Sequence, residues 1–301
     1  MAKVTRRRRK TTATAADVAV TTAAARKNKT IELPLDDNVP PDALSQVISC
    51  IYGRKGIGKT SLGAMFPDAL TFMFERGRRN LPIRQIPKAG EVALDWTRFT
   101  DYVEMFISSN YMTMIVDTVD RAYDRCMEAV CKRNGCTHPN QKNDYGDTWK
   151  QVSAEFDALF GMVQDSGKGL VFLSHEKPKP LTKRSKGMTR EDSESEFEFE
   201  RMEPSCSNQA FAVIQEICDY VFYYGFVDEF RTITVRSEND LCWTSCGIGG
   251  TFLNPDGSTI NTFKVGTTPQ EAYENLVGAF NNEGQDMDWK PPRKKKTKSL
   301  D

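Results

Sequence analysis

The run Gly53-Arg54-Lys55-Gly56-Ile57-Gly58-Lys59-Thr60 carries the spacing G-x-x-x-x-G-K-[ST], and Ser61 follows it. Glycines at these positions let the backbone curl until successive N–H groups point inward at phosphate oxygens. A helix opening at the end of the loop adds its N-terminal dipole. Lys59 can reach the β- and γ-phosphates, and the Thr60 hydroxyl can ligate Mg²⁺. Residues Gly53 to Ser61 are therefore read as a cradle for the phosphates of ATP or a close relative. A magnesium ion on such phosphates needs a carboxylate at the end of a neighbouring strand. Asp117 fits, because it directly follows the apolar run Met112-Thr113-Met114-Ile115-Val116. Its other reading is a cap for the helix that begins near Val119, a role for which Asp120 is the better candidate. Hydrolysis also needs a group that orients or deprotonates water. Glu75 follows Phe72-Met73-Phe74, and His175 follows Leu170-Val171-Phe172-Leu173-Ser174, where it could sense the γ-phosphate through a hydrogen bond. Glu75 could instead be a surface partner of Arg76, and His175 a structural histidine.

These residues work together only if a sheet places them at one edge. Val47 to Tyr52 reads as a buried strand leading into the glycine loop, with a helix over 59–66 stopped near Pro67. Leu70 to Phe74, Met112 to Val116 and Leu170 to Leu173 read as further buried strands. Between the last two lie a helix over 119–134 and one that spaces Trp149, Val152, Phe156, Leu159, Phe160 and Val163 on one face. Strands alternating with helices predict an α/β fold with a mostly parallel sheet flanked by helices. In such a sheet the strand ends share one crevice. A helix to Ile217, strands near Tyr220–Tyr224 and Arg231–Arg236, and a last helix bearing Tyr273, Leu276, Val277 and Phe280 follow.

Composition sets the limits. The chain has 301 residues, formal net charge zero and 39 % hydrophobic residues, so part of it is solvated tail or loop. Basic runs at Arg6 to Lys10 and Lys290 to Lys298 sit at the two ends. Residues 1–44 are read as a disordered basic tail, 45–283 as the folded domain, 176–206 within it as a flexible charged loop, and 284–301 as a second basic tail. No apolar run approaches the roughly 20 residues of a membrane span, and the N-terminal stretch is a poor signal-peptide core. The eight cysteines are read as structural in a cytosolic protein. Cys126, Cys131, Cys136 and His138 lack the C-x-x-C spacing of a zinc site.

Taken in order, the strand into Gly53-Arg54-Lys55-Gly56-Ile57-Gly58-Lys59-Thr60-Ser61, the strand ending in Glu75, the strand ending in Asp117-Thr118, the stretch Asp144-Tyr145-Gly146…Trp149 and the strand ending in Ser174-His175-Glu176-Lys177 resemble the phage-encoded P-loop ATPases of the RecA-like AAA class. Some of these act in single-strand annealing or recombination. The resemblance covers roughly residues 45–240. It implies a RecA-like core that uses ATP and Mg²⁺, self-assembles into a homo-oligomer and binds single-stranded DNA in the host cytoplasm, with a phage single-strand-binding or replication protein as a further partner. By position, Glu75 looks like the catalytic glutamate and Asp117 like the magnesium-associated acid. Ser174 and His175 look like the polar pair before a DNA-facing loop. One departure stands out. That loop begins basic, with Lys177, Lys179, Lys183, Arg184, Lys186 and Arg190, then turns acidic from Glu191 to Glu203. The acidic half would repel DNA, mask the basic half, or dock a partner. Two rival functions are open. One is a small-molecule phosphotransferase, with Arg76, Arg78 and Arg79 as its candidate lid arginines. The other is a nucleotide-switched interaction protein with little turnover.

Overall fold

The structure is a computed structural model that describes residues 41–75, 81–88, 90–141, 143–183, 197–237 and 240–283. Both terminal basic runs, the three candidate lid arginines and residues 184–196 lie outside the described residues.

The apolar runs form strands where their periodicity places them. In chain order these are β1 (Ile48–Gly53), β2 (Ala69–Met73), β3 (Gln85–Ile86), β4 (Thr113–Asp117) and β5 (Gly169–Lys183). They continue with β6 (Phe197–Pro204), β7 (Tyr220–Val227), β8 (Phe230–Thr234), β9 (Ser245–Cys246) and β10 (Thr262–Lys264). The main sheet has the order β10-β8-β7-β1-β5-β4-β2-β3. From β7 to β3 every pairing is parallel, while β8 and β10 add an antiparallel edge. This is an α/β core with a mostly parallel sheet flanked by helices, and the loop strand β1 lies in the interior of the sheet.

Successive side chains of a strand point to opposite faces. Ile48, Cys50 and Tyr52 of β1 therefore join one core, and Val47 and Ile51 the other. A sheet buried on both faces needs strands that are apolar throughout, and β1, β2 and β4 are buried along their whole length. The first core is covered by α2 (Trp96–Ile107), α3 (Val119–Arg133), α4 (Asp147–Asp165) and α5 (Asn208–Ile217). The second is covered by α1 (Lys59–Gly63) and α6 (Pro269–Phe280). Caps mark the helix starts. Asp95 accepts from Arg98 N, Ser207 from Ala210 N, and Thr268 with Glu271 forms a capping box ahead of Pro269. Among the described residues no helix is long and apolar enough to cross a membrane.

Four expectations change. Helix α1 is shorter than 59–66: Met65 N and Phe66 N bond three residues back, to Leu62 O and Gly63 O, so its last turn tightens before Pro67. Helix α2 was absent from the sequence reading, although Trp96, Phe99, Val103 and Phe106 form its buried stripe. Asp120 does not cap α3. Thr118 holds the cap position, and Asp120 lies in the first turn, where Ser205 Oγ is 3.4 Å from it. Finally, the segment read as a loop over 176–206 is a β-ribbon at both ends. Glu176 to Lys183 pair with Phe197 to Pro204 in antiparallel register. Pro178 and Pro180 lie two residues apart, so both take positions whose missing N–H would face away from the partner strand.

Candidate active site

Strand β1 delivers the glycine loop to the C-terminal edge of the sheet. Gly56 and Gly58 have φ of +84° and +114°, a region that disfavours side chains. Gly53 is required for a different reason: a Cβ there would lie 2.0 Å from the carbonyl oxygen of Tyr224 in β7. Ile57 is buried in the second core and anchors the middle of the loop. Arg54 and Lys55 are exposed. Lys59 is only 5 % exposed. Its ammonium donates to Gly53 O at 2.7 Å and Arg54 O at 3.0 Å, and it lies 3.4 Å from His175 Nδ1. A buried cation held by carbonyls of a curled loop is suited to an incoming polyanion.

The predicted acids converge on the same edge. Asp117 closes β4 at 2 % exposure and accepts a 2.6 Å hydrogen bond from Thr60 Oγ1. The hydroxyl and carboxylate proposed for magnesium are thus already in contact. An all-oxygen pair of this kind suits a hard cation, and Thr60 and Asp117 are the residues that would hold it. When bound, magnesium would neutralise charge on the phosphate oxygens. Glu75 directly follows β2 and Phe74, whose N–H donates to Asp117 O at 2.7 Å, so the β2–β4 pairing carries it to the site. Its Oε1 lies 2.9 Å from His175 Nε2.

The hydrogen-bond network assigns the histidine. An ionised carboxylate only accepts, so with Glu75 ionised the donor of the Glu75–His175 bond is His175 Nε2. Its Nδ1 lone pair then faces the Lys59 ammonium. Lys59, His175 and Glu75 form a continuous line from the phosphate loop to the candidate base. This arrangement holds a cation for phosphate and a carboxylate able to deprotonate water, with an imidazole orienting the carboxylate.

Ser174 does not share that crevice. It is buried, its Oγ donates to His175 O and accepts from Ser205 N, and it braces the base of the ribbon. Strand β5 does not stop at His175. The pair Gly53↔His175 is its last with β1, and the next residue, Glu176, begins the ribbon opposite Pro204. Within the ribbon the basic strand faces the acidic one. Lys177 lies opposite Glu203 and donates to Cys206 O, and the ammonium of Lys179 is 3.1 Å from the buried carboxylate of Glu203. Asp144 opens α4 by accepting from Thr148 and from Gly146 N. This leaves Tyr145 96 % exposed at positive φ. Cys126 and Cys131 are buried along α3, and Cys136 closes its C-terminal turn. Sequence reasoning missed the flank formed by Tyr224, Phe226 and Arg231, because nothing in their spacing ties them to the loop.

A family model described as "AAA domain" matches residues 45–245. No curated protein is similar enough to match the chain. Among solved structures, a KaiC-like protein from the hyperthermophilic archaeon Pyrococcus horikoshii OT3 aligns at TM-score 0.38 and 10 % identity, covering 75 % of this chain and 88 % of that one.

Proposed function

Because the chain belongs to the AAA-domain family, with a P-loop ATPase core, we propose that it binds ATP with Mg²⁺, hydrolyses it, and couples the nucleotide state to single-stranded DNA during phage recombination, annealing or replication. The observation that carries this reading is the line Lys59–His175–Glu75 beside the Thr60–Asp117 pair. In the proposed reaction, Lys59 exchanges loop carbonyls for phosphate oxygens. Glu75, oriented by His175, takes the proton of the attacking water. Since His175 lies on the strand that becomes the ribbon, exchange of the Lys59 contact alters the neighbour of a residue adjoining Glu176. That continuity supports the link to DNA. In this reading the basic side chains of the ribbon leave their acidic partners when a single strand competes for them, in a homo-oligomer that also meets a phage single-strand-binding or replication protein. The eight cysteines are all free and six are buried, which suits a reducing compartment such as the host cytoplasm.

The test is an ATPase assay on the full chain with and without single-stranded DNA. Stimulation by DNA supports the coupling. DNA-independent hydrolysis removes the coupling and leaves the ATPase. Transfer of phosphate only to a small acceptor would make the protein a phosphotransferase.

A further inference from the structure

Strand β1 divides the edge of the sheet. Glu75, Asp117 and His175 end or leave β2, β4 and β5, all on one side of the glycine loop, while β7 and β8 lie on the other. The flank of the loop that carries none of these candidate catalytic side chains is the one past Arg54 toward β7, and it is the flank left for the far end of a triphosphate whose terminal phosphate meets Lys59 and the Thr60–Asp117 pair.

What stands there is not an ordinary solvated hairpin. Tyr220, Phe222 and Tyr224 alternate along β7 into the core beneath α1, and Phe226 is next on that face. It has left the core and is 43 % exposed. Beneath it, β7 touches the loop closely: the Tyr224 carbonyl crowds Gly53, and the Tyr224 hydroxyl lies 3.7 Å from a Cβ built at Gly58. Two guanidiniums attend the Phe226 ring. Arg54 of the loop is 5.8 Å from the ring centroid, and Arg231, directly opposite Phe226 in β8, is 6.0 Å away. Neither arginine is in a salt bridge among the described residues. Arg231 is fixed by a 2.9 Å bond to Thr267 O, and its Nε is buried with no hydrogen-bond partner among the described residues. A half-exposed aromatic ring attended by two guanidiniums that have no carboxylate partner among the described residues, on the flank of a phosphate loop, offers a π-face beside positive charge.

We propose that this is the nucleoside half of the site: the base of the bound triphosphate stacks on Phe226, flanked by Arg54 and Arg231. The inference rests on the reading of Gly53 to Ser61 as a triphosphate site and adds the residue that grips the base. Stacking on an aromatic side chain draws on the π-face that every base has, so the ligand class is a nucleoside triphosphate held by its ring plane.

The test separates the base from the phosphates. Full-length protein is titrated calorimetrically with magnesium ATP and with magnesium tripolyphosphate, a base-free probe. Phe226→Ala weakens ATP by about 5- to 150-fold, the range that loss of one base–aromatic stack produces, and leaves tripolyphosphate unchanged. Phe226→Leu behaves like the alanine variant, since it keeps apolar bulk without a π-face, and Phe226→Trp restores ATP affinity. Loss of both probes in equal measure, or of neither, overturns the proposal. Failure of the wild-type protein to bind either probe removes the phosphate site itself, and the base site with it.

Discussion

Replacing Gly53 with alanine places a methyl carbon 2.0 Å from the carbonyl oxygen of Tyr224. Cβ atoms essentially never approach such an atom within 3.0 Å, so β1 and β7 must part by about 1 Å at this point, an overpacking of backbone rather than of a side chain that could rotate away. The two strands are paired up to Tyr52↔Tyr223, one residue before the clash. Overpacking costs about 1–3 kcal/mol, and loss of the last ladder bond adds about 1 kcal/mol. Together they amount to about 2–4 kcal/mol, a fall of about 5–15 °C in melting temperature for a domain of this size. Gly56→Ala is the control. Gly56 has φ of +84° but no atom within 4 Å of an added Cβ, so it incurs only the conformational cost of about 1–2 kcal/mol. Circular dichroism melts of both variants measure the difference. Gly53→Ala also weakens triphosphate binding, because the Gly53 carbonyl that holds Lys59 at 2.7 Å moves with the strand. A Gly53→Ala melt within about 2 °C of wild type, well below the overpacking range, or a larger drop for Gly56→Ala, would refute the account of why the loop begins with glycine.

Lys59→Ala removes the loop ammonium and lowers triphosphate affinity about 10- to 150-fold, the value of a charged hydrogen bond, in a protein that still melts cooperatively; wild-type affinity would dismiss the site. Glu75→Gln keeps an oxygen to accept from His175 but cannot act as a base, so ATP still binds while turnover drops about 10²–10⁴-fold; turnover within about threefold of wild type, far short of that range, moves the role to another group. Changing Lys183, Arg184 and Lys186 to alanine flattens the slope of log DNA affinity against log salt by up to about two units, whereas the opposite result, a change only on deleting Arg293 to Lys298, assigns DNA to the tail. Two carboxyls are held below the usual carboxylate range, Asp144 chiefly by the Thr148 hydroxyl and Glu271 chiefly by the Thr267 N–H. A depressed folded-state value stabilises the fold above the unfolded value of about 4, and that contribution disappears as pH falls through the folded value. The melting-temperature gap between wild type and Glu271→Ala is therefore wider at pH 7 than at pH 3, and an equal gap at both would count against it.

The strands that carry the site were legible because a sheet buried on both faces needs continuous apolar runs, which are hard to mistake in Ile48 to Tyr52 or Met114 to Val116. Helix α2 escaped notice because its stripe of Trp96, Phe99, Val103 and Phe106 is interrupted by charged and polar residues, and its cap, Asp95, emerges from a segment without regular structure. The ribbon is hidden in the sequence for a related reason. Lysines, glutamates and two prolines over 176–206 have the composition of a solvated loop. Only the opposing strand makes it a ladder, and pairing between segments separated by acidic and basic blocks leaves no periodic trace in either one alone.

For the site, residue type and position at a strand end were enough to nominate Lys59, Thr60, Asp117, Glu75 and His175, since parallel strands deliver their C-terminal ends to one edge. What the spacing left out is which side chains touch. His175 sits 116 residues from Lys59 and 100 from Glu75, and its place between them follows from strand order: β5 lies next to β1, whereas Glu75 arrives from β2, beyond β4. From sequence, His175 has two rival readings, a γ-phosphate contact at the strand end and a structural histidine. The structure places the His175 ring between the loop cation and the acid, 3.4 Å from the Lys59 ammonium and 2.9 Å from Glu75 Oε1. An imidazole in that place puts the phosphate loop and the candidate base one side chain apart, a contact that residue spacing alone leaves invisible.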